Sequence, residues 1–275
     1  MRTERPKIFG LIGYPIAHSL SPAIFDYLFK KHSIRADYHL FPLKEDQLKS
    51  ALAGIQALGI AGVNVTAPYK ERVIPYLDDL DKSGEEIRAV NVISNRKGKL
   101  IGYNTDVIGI KRTLREKLQL GSKLGEVILI GAGGAARACL SALGEFKPER
   151  VVIANRSLSK AKKIARLFNT NSSVEAADLR MIKEYTNQGE CALLINATSG
   201  QNQIIHKTIS RILSWGGTVF DLKYHLNNRP ALNHRRYCDG LFMLACQAVE
   251  SFRIWLGQRA DAEEVHRHLL KIKLT

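Results

Sequence analysis

The chain has 275 residues, of which 45% are hydrophobic, and it carries a formal net charge of +15. This length suits roughly two domains, and the apolar content excludes a disordered or fibrous protein. The first ten residues, MRTERPKIFG, lack the apolar core of a signal peptide, and no later stretch approaches the roughly 18 apolar residues of a membrane helix. We therefore expect a soluble, cytoplasmic protein without a membrane partner.

The excess of basic residues has three possible explanations: a nucleic-acid partner, an anionic small-molecule ligand, or solubility alone. The basic residues are spread along the chain, in segments such as KRTLREK and KAKKIAR, and no RNA-binding signature with interleaved aromatic residues lies near them. This distribution disfavours nucleic acid as a partner.

The four cysteines are scattered through the chain without CxxC spacing; they are Cys139, Cys191, Cys238 and Cys246. Two of them lie within apolar helical patterns, which is typical of buried, reduced thiols. We therefore expect neither a metal site nor a disulfide.

The first hundred residues alternate between strand and helix patterns. SPAIFDYLFKKH predicts a helix with Ser21 as its N-cap and Pro22 at its first position, and QLKSALAGIQALG predicts a second helix that ends at Gly59. The predicted strands are KIFGLIG, ADYHLFPL and GVNVTAP. Helices between strands form βαβ units, so this region predicts an α/β domain with a mainly parallel sheet.

The pattern changes near position 105, where VIGIKRTLREKLQ predicts a helix without a strong cap that could bridge two domains. The predicted strands that follow are EVILI, PERVVIANRS, CALLINATS and GTVFDLKY, and the predicted terminal helices are GLFMLACQAVESFRIWLG and AEEVHRHLLKIKL. We therefore predict two domains. One comprises residues 1–105 with the returning helices of 241–275, and the other comprises residues 106–240.

A glycine-rich segment, GAGGAA from Gly131 to Ala136, matches the GxGxxA pattern of a dinucleotide-binding turn. A predicted strand precedes it, a helical pattern follows, and VVIAN completes the βαβ unit. The glycines permit a tight turn and a close approach to a pyrophosphate, and the helix N-terminus directs N–H groups at the phosphates. The second domain is therefore predicted to be of the Rossmann type; the alternative is an ordinary glycine-rich turn.

The end of the strand VVIAN indicates which dinucleotide binds. An NAD site typically has an acidic side chain there, which holds the ribose 2′-hydroxyl. This chain has Asn155, Arg156 and Ser157, followed by Lys160, and these groups suit a 2′-phosphate that an aspartate would repel. We therefore predict NADP; the alternative is that Arg156 and Lys160 are solvated surface groups.

Three polar segments of the first domain suggest a ligand site. In GVNVT, Asn64 and Thr66 lie on one face of an otherwise apolar strand, and a lysine follows its end. In HSLSP, Ser19 and Ser21 lie at a strand-to-helix junction and can direct two hydroxyls at one anion. GYNTD places an aspartate just before the presumed hinge. Taken singly, such groups are caps, loop residues or turns.

Taken together, the segments resemble the shikimate dehydrogenase family. The motifs occur in order over essentially the whole chain: PIAHSLSP, GVNVTAPYK, AVNV, GYNTD, GAGGAARA, NRS, LINATSG and DGLFMLACQA. The resemblance implies an N-terminal α/β substrate domain, a Rossmann NADP domain and the reversible reduction of 3-dehydroshikimate to shikimate with NADPH, in aromatic amino-acid (chorismate) biosynthesis. It leaves open whether the chain is a monomer or a homodimer.

The resemblance also implies roles for particular residues. Lys70 and Asp106 match the family's catalytic pair. The implied substrate-binding residues are Ser19, Ser21, Asn64, Thr66, Asn91, Tyr224 and Gln247. The implied cofactor-binding residues are Gly131, Ala132, Gly133, Gly134, Ala135, Asn155, Arg156, Ser157, Lys160, Thr198, Leu222 and Gly240.

The sequence departs from the family pattern at three single positions, and it also lacks the proline and threonine that usually follow the tyrosine of DLKY. Arg88 and Phe242 stand where the family usually has glycine, and Val92 stands where it usually has threonine or serine. Three alternative functions stay open: a quinate/shikimate dehydrogenase that uses NAD, a folate dehydrogenase, and a non-catalytic nucleotide-binding regulator with the same fold.

Overall fold

Strands and helices alternate along most of the chain in a computed structural model that describes residues 5–168, 173–186, 191–200, 202–224 and 236–272. The chain divides into two compact units. The first comprises Met1–Asp106 and Ala245–Thr275, and the second comprises Val107–Leu244. The assignment of substrate binding to one unit and of the dinucleotide to the other stays a prediction. None of the described helices combines the length and apolarity needed to cross a bilayer.

Nine elements precede Asn104. They are β1 (Lys7–Gly13), α1 (Ser21–Lys31), β2 (Ala36–Pro42), α2 (Leu48–Ala57), β3 (Gly62–Val65), β4 (Asp79–Leu80), α3 (Lys82–Ile87), β5 (Val92–Arg96) and β6 (Lys99–Tyr103). Short 3-10 helices at Glu45–Gln47 and Ile74–Tyr76 lie between them. The predicted strands and helices of this region are all present, whereas β4, α3, β5 and β6 were not predicted.

The remaining elements complete both units. They are α4 (Asp106–Arg112), β7 (Leu124–Ile130), α5 (Gly134–Leu143), β8 (Pro148–Asn155), α6 (Leu158–Leu167), β9 (Ser173–Asp178), β10 (Cys191–Asn196), α7 (Gln203–Ser214), β11 (Thr218–Asp221), β12 (Tyr237–Asp239), α8 (Leu241–Leu256) and α9 (Ala262–Ile272). A π-helical turn at Thr113–Lys117 extends α4, and 3-10 helices occupy Gly144–Phe146 and Leu179–Tyr185.

The sheet of the first unit has the strand order β2-β1-β3-β5-β6-β4. β1 pairs in parallel with β2 and β3, as predicted, but β5 is antiparallel to both β3 and β6. Only Lys97 and Gly98 separate β5 from β6, and both have positive φ, 53° and 85°. Two such residues form the tight turn of a hairpin, so this part of the sheet is antiparallel.

The sheet of the second unit is entirely parallel, with the order β12-β11-β10-β7-β8-β9. Numbered from β7, this is the 3-2-1-4-5-6 order of dinucleotide-binding folds. The order reverses between β7 and β10, so the carboxyl ends of these strands flank the switch point where such folds bind their ligand. The predicted fold class, an α/β chain with a Rossmann-type domain, is confirmed.

Two helix starts differ from the prediction. Ser21 is the first residue of α1 rather than its N-cap, which is Leu20, and the Leu20 side chain makes no capping hydrogen bond. The Ser19 hydroxyl instead accepts a hydrogen bond from the Ser21 N–H group at 3.2 Å. Conversely, α4 was predicted to lack a strong cap, but the Asn104 carboxamide oxygen accepts a hydrogen bond from the N–H group of Asp106 at 3.1 Å.

The arginine that departs from the family pattern has a strained backbone. Arg88 follows α3 with φ 53° and ψ 39°, a left-handed conformation, and its side chain is exposed. Left-handed residues with a Cβ atom pay a steric cost, which explains why helices commonly end in glycine at this position.

We expect Arg88→Gly to raise the free energy of unfolding by up to about 1 kcal/mol, because the exposed side chain contributes little packing and the Cβ strain is removed. Urea unfolding of the purified chain measures this. Arg88→Ala is the control, because it removes the side chain but keeps the Cβ atom. An equal gain in both variants would show that the arginine side chain, not the backbone, is the cause.

Candidate active site

A buried ion pair joins two of the predicted residues of the first unit. The Lys70 Nζ atom lies 2.6 Å from Asp106 Oδ2, and the side chains are 17% and 1% exposed, respectively. Lys70 lies in the turn that follows β3, and Asp106 begins α4. A buried carboxylate is costly unless it is paired and hydrogen-bonded, so the lysine ammonium compensates Asp106 while it keeps a path to solvent.

The second carboxylate oxygen of Asp106 is held by Asn91, which is 3% exposed. Asn91 Nδ2 lies 2.8 Å from Asp106 Oδ1, 3.0 Å from Thr105 Oγ1 and 3.2 Å from Gln247 Oε1, so two amide hydrogens are shared among three acceptors. The Asn91 side-chain oxygen, Oδ1, accepts from the Thr105 N–H group at 2.7 Å. The structure thus brings together four polar side chains around one carboxylate, three of them predicted site residues.

The polar face of β3 is confirmed. Val63 and Val65 belong to the hydrophobic core of the unit, whereas Asn64 between them points to the other face and is half-buried. Asn64 Oδ1 accepts from the Tyr38 hydroxyl at 2.8 Å, and Asn64 Nδ2 donates to Ser251 Oγ at 3.0 Å. The sequence analysis did not single out Tyr38 or Ser251, because their proximity to Asn64 depends on the tertiary fold.

The two predicted serines lie together at the start of α1. Ser19 donates its hydroxyl hydrogen to Ser21 Oγ at 3.1 Å, and Ser21 is buried. Thr66, immediately after β3, is half-buried, and its N–H group donates to the Ile12 carbonyl oxygen at 3.0 Å. The hydroxyls of Ser19 and Ser21 thus lie together at the N-terminus of α1, where the helix dipole favours an anion.

The glycine turn of the second unit joins β7 to α5. Gly131 has φ 120°, and a Cβ atom there would lie 3.1 Å from the Ala197 carbonyl oxygen, so only glycine fits. At Gly133, in contrast, no atom lies within 4 Å of the position a Cβ would take. Gly134 and Ala135 then open α5, and Ala136 is fully buried against the sheet. The open space beside Gly133 and the partly exposed start of the helix fit a pyrophosphate.

The predicted 2′-phosphate loop follows β8. Asn155 Nδ2 donates to the Ser157 carbonyl oxygen at 3.0 Å, and Ser157 is the N-cap of α6, with its hydroxyl accepting from the Lys160 N–H group. Arg156 and Lys160 are exposed, and neither takes part in an ion pair with another described residue. Two unpaired cations beside a helix start fit a phosphate group.

One acidic residue does lie beside this loop, at the end of the neighbouring strand. Asp178 ends β9 in register with Asn155. Arg180 binds it in a bidentate manner, with Nε at 3.0 Å from Oδ1 and Nη2 at 2.6 Å from Oδ2. These hydrogen bonds from Arg180 lower the pKa of Asp178 to about 2. The carboxylate is therefore ionised but already neutralised by an arginine, a pairing that the DLR sequence could have indicated.

Polar residues also end β10 and β11. Asn196 is buried; its carboxamide oxygen accepts from Thr198 Oγ1 at 2.7 Å, and its Nδ2 donates to Asp221 Oδ1 at 2.9 Å. The sequence analysis named Thr198 but missed Asn196 and Asp221. The available signal was a polar residue at the carboxyl end of each apolar run, LLIN and TVFD, which in a parallel sheet is the ligand edge.

The last predicted residues of the second unit follow β11 or precede α8. A Cβ atom on Gly240 would overlap the Leu222 carbonyl oxygen, so this close approach requires glycine. Tyr224 is half-buried, three residues beyond β11. Phe242, which departs from the family pattern, is buried, with Arg112 Cζ 5.5 Å and Lys117 Nζ 4.3 Å from its ring centroid. It is thus a core residue covered by two cations.

Models of known protein families match three parts of the chain. They are a shikimate dehydrogenase substrate-binding domain over residues 11–93, a shikimate/quinate 5-dehydrogenase domain over residues 113–215, and a shikimate 5′-dehydrogenase C-terminal domain over residues 240–270. The chain is also 43% identical, over 273 residues, to a shikimate dehydrogenase (NADP(+)) of Geobacillus sp. (strain WCH70), covering 96% of this chain and 98% of the relative. The chain belongs to the shikimate dehydrogenase family. The resemblance seen in the sequence is confirmed.

Solved structures of similar proteins share the fold of the shikimate dehydrogenase family over nearly the whole chain. A crystal structure of a shikimate dehydrogenase in complex with NADP+ has a TM-score of 0.79 and 30% identity, and covers 97% of this chain and 95% of that one. A quinate dehydrogenase from Corynebacterium glutamicum, in complex with NAD, has a TM-score of 0.81 and 26% identity, covering 98% and 100%. The same fold thus accommodates either dinucleotide, so the fold alone does not distinguish between NADP and NAD.

The two glycines of the β7–α5 turn should respond differently to the same substitution. We expect Gly131→Ala to lower the free energy of unfolding by about 1–3 kcal/mol, because its positive φ and the Ala197 carbonyl oxygen oppose a Cβ atom. Gly133→Ala, with φ −106° and open space, should fold normally but bind NADP more weakly, because its Cβ would occupy the space predicted for the pyrophosphate. Thermal unfolding without ligand and fluorescence titration with NADP measure the two effects. Equal losses of stability in both variants would contradict this assignment.

Proposed function

We propose that this chain is an NADP-dependent shikimate dehydrogenase, which reversibly reduces 3-dehydroshikimate to shikimate with NADPH in aromatic amino-acid biosynthesis. The observation that carries the proposal is the Lys70–Asp106 ion pair in a member of the shikimate dehydrogenase family. Asn91 donates a hydrogen bond to the second carboxylate oxygen of this pair. Reduction of a carbonyl requires a proton donor for the oxygen, and a partly exposed ammonium on a buried carboxylate is such a donor.

Lys70 is the proposed proton donor and acceptor. Bound NADPH supplies the hydride that reduces the carbonyl carbon of the substrate. Lys70 stabilises the negative charge that develops on the carbonyl oxygen and transfers a proton from Nζ to it. Asp106 accepts one of the three ammonium hydrogens, which orients the amine and leaves two hydrogens for the substrate. In the reverse direction Lys70 accepts the proton of the alcohol.

The substrate is proposed to bind mainly through the polar groups of the first unit. The Ser19 and Ser21 hydroxyls bind its carboxylate, favoured by the positive end of the α1 dipole. Its ring oxygens are bound by Asn64, Thr66, Asn91, Tyr224 and Gln247. The substrate carboxylate and the ring hydroxyls thus bind to different sets of side chains, and this difference determines the orientation of the bound substrate.

NADP is proposed to bind to the second unit. The turn from Gly131 to Ala135, with Ala132, Gly133 and Gly134 between them, contacts the pyrophosphate. Asn155, Arg156, Ser157 and Lys160 hold the 2′-phosphate, and Thr198, Leu222 and Gly240 lie along the path to the nicotinamide.

The second candidate function, a quinate dehydrogenase that uses NAD, is favoured by the similarity to the C. glutamicum enzyme. Against it, no acidic side chain ends β8, and Asp178 is already bound by Arg180.

The proposed cofactor and substrate are freely diffusing metabolites. We therefore propose that the enzyme works in the cytoplasm, with the small-molecule substrate as its partner, as a monomer or a homodimer.

The direct test is the rate of NADP+ reduction by the purified chain with shikimate, compared with quinate and with NAD+. Lys70→Ala should lower kcat by about 100- to 10,000-fold while KM for shikimate changes much less, because the proton donor is lost. Lys82→Ala, at a lysine that is 87% exposed in the same unit, should match the unaltered enzyme. A large rise in KM with normal kcat would instead make Lys70 a binding residue. Absence of turnover with every pair would overturn the proposed function.

The preference for NADP over NAD can be tested separately. Arg156→Ala should weaken NADP binding by roughly 10- to 100-fold, because a charge-assisted hydrogen bond to the 2′-phosphate is lost, and should leave NAD binding nearly unchanged. Calorimetric titration with both dinucleotides measures the difference. Arg166→Ala, at an exposed arginine near the end of α6, controls for the loss of one positive charge. Equal losses for NADP and NAD would show that Arg156 does not recognise the 2′-phosphate.

A further inference from the structure

Tyr38 is a buried residue of β2 whose hydroxyl reaches a predicted substrate-binding side chain. It is 6% exposed, and its ring stacks on Phe25 with centroids 4.4 Å apart and planes at 7°. Its hydroxyl donates to Asn64 Oδ1 at 2.8 Å, although β1 lies between the strands of these two residues in the sheet. Ring stacking fixes the tyrosine, so the position of its hydroxyl is determined independently of Asn64.

The contacts of Asn64 determine the orientation of its amide. Ser251 is fully buried and gives its only hydroxyl hydrogen to the Gln247 carbonyl oxygen at 2.8 Å. Its oxygen must therefore accept from its other neighbour, so Asn64 Nδ2 faces Ser251 at 3.0 Å and Oδ1 faces Tyr38. The second amide hydrogen donates to the Asn91 carbonyl oxygen at 3.3 Å.

This arrangement limits what Asn64 can offer a ligand. A carboxamide has two donor hydrogens and two acceptor lone pairs. Ser251 and the Asn91 carbonyl use both hydrogens, and Tyr38 uses one lone pair. One lone pair is left, so Asn64 can accept a hydrogen bond from a hydroxyl group but has no hydrogen for a carboxylate.

We propose that Tyr38 is a positioning residue, which holds the Asn64 carboxamide as an acceptor for a substrate ring hydroxyl and against the substrate carboxylate. The proposal rests on the proposed function, in which a polyhydroxylated acid binds beside Asn64. Tyr38 thus does not contact the substrate itself, but it determines both the affinity for the substrate and the orientation in which the substrate binds.

The donor role of Tyr38 is maintained over the working pH range. Burial raises the pKa of Tyr38, against the opposing effect of a hydrogen bond with Ser21. The hydroxyl therefore stays protonated at neutral and mildly alkaline pH and continues to donate to Asn64.

Tyr38→Phe removes the hydroxyl and keeps the stacked ring. The KM for shikimate should rise roughly 3- to 10-fold, the effect of one lost hydrogen bond, while kcat and the KM for NADP stay within about twofold. The control is Tyr27→Phe, which removes a hydroxyl that donates to Glu264 at 2.5 Å in the same unit. An unchanged KM for shikimate in Tyr38→Phe would overturn the proposal, as would equal changes for shikimate and NADP, which would indicate a purely structural role.

A double-mutant cycle separates Asn64 from the other neighbour of Tyr38. If Tyr38 acts through Asn64, Tyr38→Phe should have no further effect on the KM for shikimate in an Asn64→Ala background. An effect that persists undiminished would assign the role to the Ser21 contact and overturn the proposal. Calorimetric titration of each variant with shikimate alone provides a readout that does not depend on turnover.

The unaltered enzyme distinguishes this proposal from the proposed function. If it neither binds shikimate nor reduces NADP+ with it, the proposed function fails, and the role of Tyr38 fails with it. If it does both and Tyr38→Phe matches it, only the role of Tyr38 is overturned.

Discussion

The burial of the Asp106 carboxylate is the constraint on which the first unit depends. A carboxylate removed from water must be compensated by a cation and by hydrogen bonds, or it is neutralised. Here Lys70 takes one oxygen and Asn91 the other, while Asn104 caps the helix that begins at Asp106. Asn91 is fixed in turn by the Thr105 backbone. The two contacts to its oxygens compensate the buried carboxylate, and the contact with Lys70 orients the ammonium.

In the second unit, the buried polar groups that need hydrogen-bond partners lie at the ends of the strands. Parallel strands buried on both faces consist of apolar residues, so polar groups accumulate at the carboxyl edge, where the chain leaves the sheet. Asn196 donates to Asp221 there, and Thr198 donates to Asn196, so these polar side chains are held by hydrogen bonds to one another. Gly131 lets two loops approach closely, and Gly133 leaves space beside the helix start. Polar groups at this edge and open space beside a helix start together suit an anionic dinucleotide.

The sequence predicts best what depends on local pattern. The alternation in GVNV placed the valines and Asn64 on the correct faces, and the strand-turn-helix context of GAGGAA predicted the turn that the structure shows. The sequence analysis missed the hairpin of β5 and β6, although Lys97 and Gly98 carry its turn signal. It could not predict that Tyr38 and Ser251 meet at Asn64, across sequence separations of 26 and 187 residues, because such contacts exist only once the sheet and α8 have assembled.

The departures from the family pattern affect the site unequally. Phe242 is covered by Arg112 and Lys117 within its own unit, so it serves as core. Val92 is different, because it pairs directly with Asn64 across the antiparallel ladder, and paired residues share a face of the sheet. A valine cannot hydrogen-bond to the amide, whereas a threonine or serine has a hydroxyl on that face. The orientation of Asn64 in this chain therefore depends on Tyr38, on Ser251 and on the backbone of Asn91.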